Sequence, residues 1–163
     1  MSIKRNYLFN KDKIKYVKGK KPKVKCILCA IAAGSPDVKS LEIYRTENFV
    51  VSVNLYPYNP GHLMIFPVRH EEDLHNLTDE EALEMHRLTC RTLSVLKDEY
   101  DPPGFNIGYN IGTGSGASIH HIHLHIVPRY GNEAGFIDAI AGTRLFVTDP
   151  VEMMKKLKKR FNV

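Results

Sequence analysis

The chain is predicted to adopt an α+β fold, from three observations. Short runs rich in Val, Ile, Tyr and Phe are separated by turns bearing Gly, Pro and Asn, which marks strands joined in antiparallel hairpins. Thr78-Asp-Glu-Glu81 is a capping-box signature opening one long helical stretch. Asp149-Pro150, an N-cap followed by proline at the first helical position, opens a second helix. Helices segregated from the hairpins exclude the alternating pattern of a parallel α/β sheet. At 163 residues the chain has room for one domain with a real core.

Residues 41–46 and 49–54 read as paired strands, and 62–66 as a third. The long helix runs to residue 100, with Leu83, His86, Leu88, Thr89, Leu93 and Leu96 near helical spacing. On it, His86 is read as structural and Cys90 as a core residue. Asp101-Pro-Pro-Gly104 ends that helix. Residues 105–110 and 120–127 are the last two strands of the core, and the second helix reaches residue 161. There are no internal repeats. The chain therefore divides into a basic extension (1–25), a central domain (26–148) and a basic C-terminal helix (149–163).

The net charge of +5 hides that division. Residues 1–25 carry ten Lys or Arg against one acid, Asp12, and residues 155–163 carry five and no acid. The middle is acidic, with a net charge of −9. The basic ends can attract polyphosphate or nucleic acid, but they read more simply as a solvated tail and a solvated helix face. Aromatic residues in the extension are too sparse for a stacking platform, so no nucleic-acid partner is expected. No apolar run approaches the ~18 residues of a membrane span, and the start lacks a signal-peptide core. A C-x-x-C pair with an unpaired third cysteine points to a reducing compartment, and the expected location is cytoplasmic.

Function is concentrated in one place. His120, His121, His123 and His125 stand within six residues, half of the eight histidines in the chain. Three of them alternate with Ile122, Leu124 and Ile126, so on a strand His121, His123 and His125 share one face. Such a row can be a solvated or satisfied strand face, a metal site, or a nucleophile with orienting neighbours. Directly upstream, residues 108–116 hold four glycines in nine positions, followed by Ala117 and Ser118. Glycines let backbone N–H groups approach an anion closely, and Ser118 adds a hydroxyl donor. A phosphate loop beside a nucleophile favours covalent catalysis.

His121-Ile-His123-Leu-His125-Ile-Val, followed by Pro128-Arg129, resembles the signature of the histidine triad (HIT) superfamily. The resemblance runs from about Cys26 to Arg129. Asn54-Leu-Tyr-Pro-Tyr-Asn-Pro-Gly61-His62 looks like that family's nucleotide-binding segment, and Gly104-Phe-Asn-Ile-Gly-Tyr-Asn110 like the strand before its phosphate loop. The chain looks most like the diadenosine polyphosphate phosphorylase and hydrolase branch, near the fragile-histidine-triad enzymes. The resemblance implies a single HIT-like domain with a five-stranded antiparallel sheet, working as a homodimer paired across the long helix and an edge strand.

It also implies roles. His123 is expected to attack the α-phosphorus of a dinucleoside polyphosphate and form a nucleotidyl-histidine, with His125 and His62 flanking the phosphate. Ser118 and Asn110 are expected to bond phosphate oxygens or the leaving group, Gly116 to offer its backbone, and Asn54 to contact the nucleotide. Many hydrolases of the family have glutamine where this chain has Ala117, and a small residue is familiar from phosphorolytic relatives. Water or phosphate is expected to release the nucleotide, and Ala117 points toward phosphate. A nucleoside phosphoramidase, a nucleotide- or RNA-binding module without turnover, and a zinc hydrolase ligated by the triad are the alternatives.

Cys26-Ile-Leu-Cys29 fits half of a tetrahedral zinc site. By resemblance to relatives with this motif, His70 and His121 complete it, with His75 in reserve for the third ligand. Such a zinc would be structural, since protein fills all four positions.

Overall fold

The computed structural model describes residues 22–115, 117–131 and 149–161. Five strands, β1 (Glu42–Arg45), β2 (Phe49–Val53), β3 (Leu63–Pro67), β4 (Gly104–Tyr109) and β5 (Leu124–Arg129), form one antiparallel sheet in the order β1-β2-β3-β5-β4. Among the described residues three α-helices accompany it: α1 (Ile27–Ala32), α2 (Asp79–Tyr100) and α3 (Pro150–Phe161). The expected α+β architecture and five-stranded sheet are both present.

Every residue of the central strands β2 and β3 is buried, because both faces of the sheet are covered. On one face Phe49, Val51, Leu63, Ile65, Leu124 and Ile126 pack against α2 and α3. On the other, Val50 and Phe66 pack against Leu28 and Ile31 of α1. Each such side chain removed from water contributes roughly 1.5–3 kcal/mol. The period of two then assigns the polar residues. Ser52 pairs with Met64, and Met64 with His125, so these three lie on the α1 face beside Val50 and Phe66.

Helix α2 begins as its sequence dictates. The Thr78 hydroxyl accepts from the Glu81 N–H, while the Glu81 carboxylate accepts from the Thr78 N–H. Glu81 is also held by Arg69 at 2.8 and 2.9 Å. The helix stops at Asp101, which takes a left-handed conformation (φ 41°) before two prolines. Helix α3 starts with the Val151 N–H donating to Asp149 Oδ1 at 2.7 Å. Met153, Leu157 and Phe161 enter the main core, so the basic helix is an integral layer of the fold. Its charged face is tied to α2, where Glu99 accepts from Lys156 and Arg160. Those cations hold the Glu99 carboxyl below the usual carboxylate range.

The loop before β3 is fixed by buried contacts. Asn59 Nδ2 donates to the Pro128 carbonyl (2.6 Å), and the Tyr130 hydroxyl to the Pro60 carbonyl (3.0 Å). Gly61 has φ +80°, and a Cβ there would stand 2.9 Å from Pro128 Cγ and 3.2 Å from Leu96 Cδ2. Only glycine brings the loop this close to β5, and the next residue is His62.

Three sequence expectations differ from the fold. Cys90 is exposed, not in the core, and Leu83 is 49% exposed. At 100° per residue they share the outward face of α2 with His86, opposite the buried stripe Met85, Leu88 and Leu96. The last strand begins at Leu124, not His120. Helix α1 was not anticipated, and residues 1–21 of the basic extension lie outside the described residues.

Candidate functional site

The α1 face of the sheet carries a cavity of about 420 Å³. His123, His125, Asn54 and Asn110 line it, Ala117 and Ser118 stand at its edge, and Ile27 and Ile31 of α1 form an apolar wall. That composition, mostly apolar with a few convergent polar groups, is typical of small-molecule sites. Gly116 lies outside the described residues.

The imidazoles form a directed chain. His62 is fully buried, and its Nδ1 accepts the Tyr58 N–H at 3.0 Å. Its proton is therefore on Nε2, which donates to His125 Nδ1 at 3.0 Å. The His125 proton is then on Nε2, 3.2 Å from the Asn110 side-chain amide, so the Asn110 amide oxygen should face it. Asn54 is set by its Oδ1, which accepts the Tyr56 N–H at 2.9 Å, and its Nδ2 lies 3.4 Å from His62 Nε2. Tyr58, which sequence reasoning missed, stacks on His62 with ring centroids 4.8 Å apart.

His123 stands at the centre. Its Nδ1–H donates to the His121 carbonyl at 2.7 Å, which leaves the lone pair on Nε2. Burial pushes its pKa down, so the ring is neutral near pH 7. Its ring meets that of His125 edge-on at 4.7 Å. A buried neutral imidazole with one tautomer selected is a ready nucleophile.

His121 has the opposite tautomer. Its Nε2–H donates to the Pro67 carbonyl at 3.0 Å, leaving Nδ1 with the lone pair. That atom lies 3.4 Å from both Cys26 Sγ and Cys29 Sγ, and His70 Nδ1 lies 3.3 Å from Cys29 Sγ. The four donor atoms all lie within 4.8 Å of one another. A tetrahedral zinc, with Zn–S near 2.3 Å and Zn–N near 2.0–2.1 Å, requires S···N edges of about 3.5 Å. The cluster therefore fits a metal ion in both chemistry and shape. Burial and the neighbouring Cys26 thiol push Cys29 up to about 11, a state that a cation between the sulfurs would reverse. Burial pushes His121 down to about 4, which keeps the ring neutral near pH 7.

The reserve residue His75 is not part of the cluster. It is exposed and paired with Asp73 at 2.7 Å. Two features of the cluster go beyond the ligand set read from the sequence. Cys26 is the N-cap of α1, its sulfur 3.5 Å from the Cys29 N–H, and Glu72 reaches His70 Nε2 at 3.3 Å. Cysteine is not among the preferred N-cap residues, so no sequence signal marks α1, and none marks Glu72.

A profile of the HIT domain matches residues 35–132. The chain belongs to the HIT domain family. Within that family it is 43% identical over 110 residues to the AP-4-A phosphorylase of Mycobacterium tuberculosis strain H37Rv, covering 67% of this chain and 56% of the relative. The HIT chain thus spans little more than half the length of that relative. It is 34% identical over 111 residues to Protein hit of Bacillus subtilis, covering 68% and 75%. Among solved structures it is similar to a zinc-bound histidine triad family protein from Mycobacterium smegmatis, with TM-score 0.66, 26% identity, and 85% and 96% coverage.

Proposed function

We propose that this HIT protein cleaves dinucleoside polyphosphates of the diadenosine tetraphosphate type at the α-phosphate, through a nucleotidyl intermediate on His123. The observation that carries the reading is the hydrogen bond from His123 Nδ1 to the His121 carbonyl, which leaves the lone pair on Nε2 of a ring that lines a cavity of about 420 Å³. The relationship to a phosphorylase of this substrate class supports it.

In the first step the Nε2 lone pair forms an N–P bond as the bond from the α-phosphorus to the bridging oxygen breaks. The leaving nucleotide departs with that electron pair. Ser118 and Asn110 bond the oxygens that gain charge, and the His62–His125 chain holds the Asn110 amide by its oxygen so that its N–H groups are free for them; positioning and charge stabilisation carry most of such a reaction. In the second step an oxygen of inorganic phosphate attacks, the N–P bond breaks, and His123 regains its lone pair. Ala117 lines the cavity with a methyl group and offers no polar atom to position a water, which favours phosphate as acceptor.

Zinc at Cys26, Cys29, His70 and His121 would fix the geometry of the backbone leading into His123 and leave no position for substrate. The pairing surface for a homodimer is the exposed edge of β4 with the outward face of α2, where Ile107 and Leu83 are uncovered.

The test is diadenosine tetraphosphate turnover with products separated, with and without inorganic phosphate, beside His123→Ala. ADP plus ATP only with phosphate is the expected result. AMP plus ATP without phosphate would make the protein a hydrolase. Cleavage of adenosine 5′-phosphoramidate in place of the dinucleotide would overturn the substrate assignment.

A further inference from the structure

Next to the cavity holding His123 lies a second, larger one of about 750 Å³. The two share Pro22, Ile27, Ser118 and Ile119 in their walls, so they adjoin where the glycine loop ends. His123 and His125 line only the first, and Lys25 and His120 only the second. Both volumes fall within the roughly 300–1,000 Å³ of small-molecule sites.

We infer that the second cavity binds the leaving half of a dinucleotide, meaning its distal phosphates and second nucleoside. The inference rests on the proposed reading of His123 as the reacting centre. In-line displacement sends the leaving oxygen away from the nucleophile. The nucleophile belongs to the first cavity, and Ser118 belongs to both. A polyphosphate held at Ser118 therefore passes from one cavity into the other. Lys25 supplies a cation where distal phosphates would lie, and Val24, Ala30 and Ile119 supply apolar surface for a base. The carboxylate in this wall, Glu72, is turned to His70 Nε2 at 3.3 Å. Cys26, Cys29 and His70 also border the cleft, with donor atoms converging on one another.

Binding to His123→Ala protein, which cannot turn substrate over on this reading, tests the inference by calorimetry. Diadenosine tetraphosphate and adenosine 5′-tetraphosphate have the same number of phosphates and differ by the second nucleoside. The mononucleotide carries the greater negative charge, so Lys25 alone would favour it. The dinucleotide is nevertheless expected to bind about tenfold more tightly, or about 1.4 kcal/mol. Ala30→Trp, on α1 and in the wall of the second cavity only, should remove that advantage and leave AMP affinity unchanged. Lys25→Glu should weaken both tetraphosphates by several-fold (~3–10-fold) and spare AMP. Equal affinity for the two tetraphosphates, or an advantage that survives Ala30→Trp, would overturn the subsite alone. Failure of AMP itself to bind would overturn the proposed function and the subsite together.

Discussion

His121 and His123 are two residues apart, both buried, and both pushed below the ordinary histidine range by burial. Their chemistry diverges because different ring nitrogens are engaged. His121 gives its Nε2 proton to the Pro67 carbonyl and turns Nδ1 to two sulfurs. His123 gives its Nδ1 proton to the His121 carbonyl and keeps Nε2 for the cavity. One imidazole offers Nδ1 to a cluster that could hold a metal ion and the other leaves Nε2 open, and in each case a backbone carbonyl decides which nitrogen is left. The lesson is that a histidine's role follows from its hydrogen-bond partner more than from its position in a row. The two rings are also mechanically joined, since the carbonyl that orients His123 belongs to His121 of the Cys/His cluster.

The largest expected effect breaks one side of the comparison only. His123→Ala should lower kcat by about a thousandfold or more while the melting temperature and bound metal stay near wild type. Unchanged turnover would remove His123 from the chemistry. Cys29→Ser breaks the other side. It should abolish stoichiometric metal in elemental analysis and lower Tm by on the order of 10 °C, with a smaller loss of kcat than His123→Ala. Full metal occupancy in this variant would mean that the cluster is not the site. Gly61→Ala attacks the loop that brings His62 to His125. With φ +80° and a Cβ 2.9 Å from Pro128, it should cost about 2–4 kcal/mol in urea denaturation.

The smallest effect comes from the opposite face of the sheet and serves as a control for both sites. Lys156 and Arg160 lower the Glu99 pKa, so its contribution to stability is present above the unfolded value of about 4.3 and is lost as pH falls through the folded one. Glu99→Gln should lower stability by about 1 kcal/mol at pH 7, with the difference from wild type vanishing in acid, and should leave kcat and metal content unchanged. A pH-independent difference would show that the pair is not linked to the protonation of Glu99.

Much of this was legible in the chain, for local reasons. The capping box at Thr78 and Glu81 and the Asp149-Pro150 start placed α2 and α3, because a helix terminus is satisfied by residues within one turn. The alternation of histidine with Ile122, Leu124 and Ile126 assigned faces correctly, with Leu124 and Ile126 in the core opposite His125. It did not place the start of the strand. Alternation continues through 121–123, but strand pairing begins only where a partner lies alongside at Leu124. Cys90 failed for another reason. Its neighbours Leu83 and His86 imitate a buried stripe, and only packing against the sheet shows which stripe of α2 faces inward.

The sequence by itself determined the family motif, the α+β class, the ends of the two longer helices, and the residue types able to ligate a metal or attack phosphorus. These depend on neighbours within a few positions or on composition. Tertiary structure alone decided that one row of histidines borders both the Cys/His cluster and the cavity. Pro67 and Asn110 are distant in sequence from the rings they touch, and they engage His121 and His125 only once β3, β4 and β5 lie side by side. The same folding brings Cys26 and Cys29 to His121 across more than ninety residues. A proton's position on an imidazole is set by the atom 3 Å away, and that atom is chosen by the fold.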